Sequence, residues 1–161
     1  MILVTISNGK LHCRDLDDTT RWSIEIKDIV LIAEYTTRQR KDCYDYFLVF
    51  VTRESGELFY LEVTGCAGGI PEAFENLEGC LGCTLDLLLQ TSTDWASRVI
   101  WPAALAGSKF YEFEEVVPES LRDRIRSTIK GKQVAHNVAE PVWRYLNESA
   151  PAPRLPSPLR G

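Results

Sequence analysis

The 161-residue chain is 45% apolar and 25% charged, with a formal net charge of −5. That length suits one domain able to bury about two-thirds of the surface its unfolded form exposes, and the composition excludes a disordered or fibrous protein. No stretch approaches the roughly 18 uninterrupted apolar residues of a membrane span, and the opening MILVTISNGK lacks the basic-then-apolar layout of an export signal, so a cytoplasmic protein is expected.

The first half reads as strands. Ile2 to Ile6 and Lys10 to Arg14 flank Asn8-Gly9, the dipeptide that supplies the positive φ angles of a type I′ hairpin turn. From Trp22 to Ile26 apolar and polar residues alternate, which is the period of a half-buried strand. Lys27-Asp28 interrupts, and Ile29 to Thr37 resumes with apolar residues on both faces. Tyr44 to Arg53 is the most β-prone stretch and apolar on both faces, hence central. Ser55-Gly56 turns it back into Glu57 to Thr64, giving about six strands before residue 65.

Gly65 to Gly69 reads as a flexible hinge. Pro71 then opens a helix ending near Cys80, with Ala73, Phe74, Leu77 and Leu81 as its buried stripe. Thr84 to Gln90 is ambiguous between strand and helix. Thr93 is expected to cap a short helix, Asp94 to Trp101, that Pro102 terminates. Lys109 to Glu115 alternates as one more strand. Pro118-Glu119 begins a helix with Leu121, Ile125 and Ile129 at four-residue spacing, and a second helix is expected from Glu140 to Asn147, with Val142, Trp143, Tyr145 and Leu146 in apolar contact. The last twelve residues, APAPRLPSPLRG, hold four prolines and exclude a helix or an inner strand.

These elements give an α+β fold: an antiparallel, curved sheet or partly open barrel followed by a helical C-terminal extension. One domain is expected over residues 1–148, with a Pro-rich tail over 149–161. The Trp22-x-Ile24-x-Ile26-x-Asp28-Ile29 run, the aromatic strand YDYFLVFV, its hairpin partner ELFYLEV and the helix after them resemble bacterial pleckstrin-homology-like domains over residues 2–82. The resemblance implies a curved sheet closed at one end by a helix, used to bind peptides, proteins or lipid headgroups and seldom to catalyse. Lipid-binding members resemble one another in a basic first loop. Here Asp15, Asp17 and Asp18 make that loop acidic, and residues 83–161 fall outside the resemblance.

Charge is unevenly shared. Residues 1–117 carry 10 Lys/Arg against 19 Asp/Glu, a net of −9, and residues 118–161 carry 8 against 4, a net of +4. An acidic body repels the phosphates of nucleic acid and anionic membranes, so neither is an expected partner. A protein with a basic surface is, and Asp15, Asp17 and Asp18 are candidate contacts. Trp95, Arg98 and Trp101 are further candidates, being residue types enriched at binding hot spots, although tryptophans that bridge an extension to a sheet also serve as core.

Other constellations are sparse. Cys80-x-x-Cys83 has metal-ligand or redox spacing, but a structural zinc needs two more ligands and no second such pair exists. Two small thiols at a helix end is the plainer account. Five cysteines form an odd set, and with no export signal they are expected to be reduced. His12 and Cys13 diverge on a strand. Glu112 and Glu114 share one face of a strand and could serve general acid/base work, or form a solvated outer face while Tyr111 and Phe113 fill the other. Gly65-x-x-Gly68-Gly69 lacks the lysine of a phosphate-binding loop. With two histidines and no nucleophile turn, no catalytic residue is assigned and no cofactor is expected. The function expected is therefore a non-catalytic protein-binding module, of immunity or adaptor type. A metal- or thiol-dependent protein using Cys80 and Cys83 is the first alternative, and a carboxylate-dependent enzyme the second.

Overall fold

Two antiparallel sheets account for the first half of the chain, seen in a computed structural model that describes residues 2–37, 45–92, 94–115 and 134–148. Strands β1 (Ile2–Ser7), β2 (Lys10–Asp15) and β3 (Thr20–Glu25) form a three-stranded sheet in sequence order. The β1–β2 turn holds Asn8 and Gly9 at φ 51° and 72°, the left-handed pair that an Asn-Gly hairpin supplies. A 3₁₀ turn over Ile26–Asp28 carries the chain into the second sheet, which is built from β4 (Ile29–Thr36), β5 (Tyr46–Glu54) and β6 (Glu57–Thr64). Six strands thus precede residue 65, as the alternation predicts.

Helix α1 (Ile70–Leu81) starts with Pro71 in its first turn, buries Ile70, Ala73, Phe74 and Leu77, and stops at Gly82, whose φ of 66° suits a residue without Cβ. The glycine run before it is docked, not a free hinge. Gly68 donates its N–H to Ile2 O and accepts from Val4 N–H, both at 2.8 Å, which lays the segment along the edge of β1. A Cβ on Gly65 would fall inside the ring of Tyr46, and one on Gly69 would strike Val4 O.

Beyond α1 three expectations change. The expected helix over Asp94 to Trp101 is a strand, β7 (Ala96–Trp101), which completes the second sheet in the order β6-β5-β4-β7. The free edge of β4 outweighs local helix propensity here, and Val99 and Ile100 suit a pleated surface. The expected cap Thr93 lies outside the described residues. β8 (Tyr111–Glu115) is present as predicted, but it pairs with an unforeseen β9 (Val134–Val138). The extension therefore holds three described strands instead of one. Helix α2 (Glu140–Glu148) buries Val142 and Leu146 but leaves Trp143 58% exposed, contrary to its expected place in the contact face. The helix predicted from Pro118 and the Pro-rich tail lie outside the described residues.

Central strands β4 and β5 separate two cores, which explains their apolar residues on both faces. On one face Ile32, Leu48 and Phe50 meet Val4, Leu11 and Ile24 of the first sheet and Phe74 and Leu77 of α1. On the other, Leu31, Ala33, Val49 and Val51 meet Phe110, Val142 and Leu146. Each Leu, Ile or Phe so buried contributes about 1.5–3 kcal/mol. The chain is thus α+β and mainly antiparallel, with open sheets. No described helix is long and apolar enough to cross a membrane.

The ambiguous stretch after α1 forms neither a strand nor a helix. Leu85, Leu87 and Leu89 point inward while Asp86 and Leu88 are exposed, as in a strand, yet among the described residues no strand pairs with the segment. Its amides go to side chains: Leu85 N–H to Glu78 Oε1 (2.7 Å), Leu88 N–H to Glu34 Oε1 (2.9 Å) and Leu89 N–H to Glu34 Oε2 (3.2 Å).

Candidate functional site

Strands β7 and β8 run close together and then part, and the gap between them is a groove of about 560 Å³. Ser97 sets where they part. Its hydroxyl donates to Tyr111 O at 2.8 Å and accepts Tyr111 N–H at 2.9 Å, so one side chain takes over the pairing a strand neighbour would supply. Val99 joins the same seam, donating to Ser108 O and accepting from Gly107 N–H. Past Ser97 the walls are Trp95, Ala96, Phe113, Glu112 and Glu114, with Lys109 completing the rim.

An aromatic cluster stiffens one wall. The His136 ring lies 5.3 Å from Phe113, 5.6 Å from Tyr111 and 6.0 Å from Trp95, and Trp95 meets Phe113 edge-on at 5.3 Å. Tyr35 stacks on Phe47 beneath, and its hydroxyl donates to Glu62 Oε2 at 2.7 Å. Burial pushes the Tyr111 phenol up to about 12, helped by the charge of Glu62. Glu112 and Glu114 stay exposed on the rim, while Tyr111 and Phe113 are half-buried, which is the partition the alternation predicts. Two carboxylates against one ammonium make the lining acidic.

Of the expected contact residues, only Trp95 lines this groove. Trp101 packs against the core between the two sheets. Arg98 turns inward: Nε and Nη2 donate to Glu34 Oε1 at 3.0 and 2.7 Å, and Nη2 also reaches Asp86 O. Asp15, Asp17 and Asp18 sit at the β2–β3 turn. Arg21 grips Asp15 through two nitrogens at 2.9 and 2.8 Å, and Arg14 lies 4.0 Å from Asp18. Asp17 accepts Thr19 N–H, which holds its carboxyl below the usual range. The acidic loop is thus largely matched by its own arginines and stands apart from the Trp95 groove.

Comparison with known proteins gives no match: no family model fits the chain, and no curated protein or solved structure is significantly similar to it. What the site can do is decided by its own chemistry. Cys80 is exposed and Cys83 half-buried, both as free thiols, and among the described residues no three His, Cys, Asp or Glu side chains gather as a metal site. Cys66 is disulfide-bonded, against the expectation of reduced thiols, since an odd count excludes only that all five are paired. Burial pushes the Cys13 thiol up, which makes it inert filler.

Two arrangements escaped the sequence reading. Glu34 is fully buried in a strand that otherwise reads as core, and a lone charge in such a strand was the available signal. His12 bridges Ser7 Oγ at Nε2 and Ser23 Oγ at Nδ1, each at 3.0 Å. A serine beside an imidazole is a nucleophile–base pair in form. Here both hydroxyls stand on exposed strand surface, and strand pairing alone sets His12 opposite Ser23.

Proposed function

We propose that this chain is a non-catalytic protein-binding module, of adaptor or immunity type, whose partner presents a basic surface to the groove between β7 and β8. One observation carries the reading: a single groove is lined by Trp95 together with the exposed Glu112 and Glu114. An aromatic face and carboxylates together favour a lysine or arginine side chain, through cation–π attraction and charge pairing. Its volume falls within the roughly 300–1,000 Å³ usual for binding clefts. The net charge of −5 would speed capture of a basic partner and repel nucleic acid.

The pleckstrin-homology-like resemblance of residues 2–82 belongs to the same proposal, supported by two antiparallel sheets that share a core with α1, which packs on β1. A cytoplasmic setting, expected from the sequence, belongs to the same proposal. The carboxylate-enzyme reading gains the groove at Glu112 and Glu114. It is placed second because acid/base catalysis needs carboxylates drawn out of water, and these are exposed.

The test is a titration of isotope-labelled protein with an octalysine peptide, followed by amide shifts. Saturable shifts at residues 95–97 and 109–114, lost in the Glu112→Gln/Glu114→Gln variant and absent with octaglutamate, are expected. Shifts spread evenly over the surface, or equal shifts with octaglutamate, would refute the proposal.

A further inference from the structure

We infer that the outer edge of β6 is a strand-addition site for an extended segment carrying apolar residues flanked by basic ones. The choice of a protein ligand rests on the binding-module reading above, but the surface is a different one, at the opposite edge of the same sheet from β7.

Among the described residues β6 is paired on one side only. Its register with β5 runs unbroken through eight residue pairs, from Glu54↔Glu57 to Phe47↔Thr64, with no bulge. Among the described residues nothing pairs with its other side, so over Glu57–Val63 alternate backbone N–H and C=O groups face outward. Edge strands are ordinarily blunted by charged side chains, lysine above all, or by proline, a bulge or a covering element, and of these β6 has only Glu57 and Glu62. Between Glu54 and Thr64 the chain has no lysine, arginine or proline. Instead it exposes two large aromatics, Phe59 at 43% and Tyr60 at 45%.

The side chains indicate the occupant. Neighbouring strand residues point to opposite faces, so Glu57 and Phe59 share one face and Tyr60 and Glu62 the other. All four are exposed. Each face of the edge therefore offers one aromatic ring and one carboxylate, that of Glu62 already accepting from Tyr35 O–H through Oε2. An antiparallel strand laid along Glu62 to Glu57 would meet, in order, a carboxylate, Leu61, two aromatics, Leu58 and a carboxylate. The complementary pattern is basic, any, apolar, apolar, any, basic, because opposite charges and aromatic–aliphatic pairs stabilise cross-strand contacts. A second copy of this chain fits less well, since it brings Glu54, Glu57 and Glu62 to an edge that already carries them.

The experiment uses the full chain and the capped hexapeptide Lys-Thr-Val-Val-Thr-Lys, followed by amide shifts and by exchange protection. The expected result is saturable shifts and new protection at residues 57–63. Affinity should fall at least tenfold when the peptide's alternate amides are methylated, and by a similar factor when its lysines are replaced by glutamate. Glu57→Lys, a change at an exposed turn-side position, should weaken the lysine peptide and strengthen the glutamate one. Glu112→Gln/Glu114→Gln should leave the hexapeptide affinity unchanged, which separates this site from the groove. The inference is overturned if the shifts fall on 95–97 and 109–114, if methylated amides bind equally well, or if the free protein is a dimer that Phe59→Lys/Tyr60→Lys converts to monomer.

Discussion

Glu34 and Arg98 stand directly opposite one another across β4 and β7, and the arginine sets two nitrogens on a single oxygen of a carboxylate that has no exposed surface. The remaining acceptor capacity of that carboxylate is taken by Tyr46 O–H at 2.8 Å and by the amides of Leu88 and Leu89. Removing Arg98 leaves the Glu34 carboxylate buried with those hydrogen bonds but without its counter-charge. Arg98→Ala is expected to lower stability by about 3–5 kcal/mol, and Glu34→Leu/Arg98→Leu should regain little of that loss, because it orphans the Tyr46 hydroxyl and the amides of Leu88 and Leu89. Urea midpoints of the three proteins check this, and an Arg98→Ala protein as stable as the parent would contradict it.

Alkali should unfold the protein through its tyrosines. Burial, followed by the hydrogen bond to Glu62, raises the Tyr35 phenol. Burial, followed by the charge of Glu34, raises that of Tyr46, and Tyr111 is pushed up to about 12. Each folded value lies above the unfolded one near 10. The stability this confers is therefore complete below about pH 10 and is lost as the pH climbs through the folded values. Phenolate absorbance should lag behind that of free tyrosine, and the urea midpoint should fall only above about pH 10.

Gly69→Ala should be far more damaging than Gly79→Ala. Gly69 has φ 76° and its missing Cβ faces Val4 O, while nothing lies within 4 Å of a Cβ at Gly79. The left-handed backbone alone penalises alanine by about 1–2 kcal/mol, whereas a helical glycine gains about 0.5–1 kcal/mol on becoming alanine. Thermal melts of the two variants should move in opposite directions.

Phe110 and Trp143 offer a matched pair in the C-terminal layer. Phe110 is fully buried against the second core, and Trp143 is mostly in water. Phe110→Ala is expected to destabilise by about 3–5 kcal/mol, and Trp143→Ser to change stability by no more than about 0.5 kcal/mol. Equal effects would show that the layer is packed differently.

The sheets were largely legible because their signals are local. Asn8-Gly9 announced its turn, and the two-sided apolarity of Ile29–Thr36 and Tyr46–Glu54 announced central strands. What could not be read depended on distant partners. Whether Asp94–Trp101 coils or extends is decided by the vacant edge of β4, some sixty residues away. Leu85–Leu89 alternates like a strand, but carboxylates of Glu34 and Glu78 satisfy its amides, which no period reveals. At the candidate site the sequence marks Trp95 apart from Glu112 and Glu114. Their meeting depends on Ser97 holding β8 against β7, a contact with no linear signature. Arg98 suits an interface by residue type, and only the buried Glu34 opposite explains its inward turn.

That β4 and β5 are walled by apolar neighbours on both sides bears on how the chain can be dissected. A fragment cut after Gly82 would keep α1 and most of the first core yet strip away Leu85 and Ile100 from it, and with them β7, Phe110 and α2, laying bare Leu31, Ala33, Val49 and Val51 together. Such a piece would clump instead of standing alone. The segment that looks like a self-sufficient unit is thus obligately wedded to the residues that follow it, and any attempt to transplant its recognition properties must carry both halves.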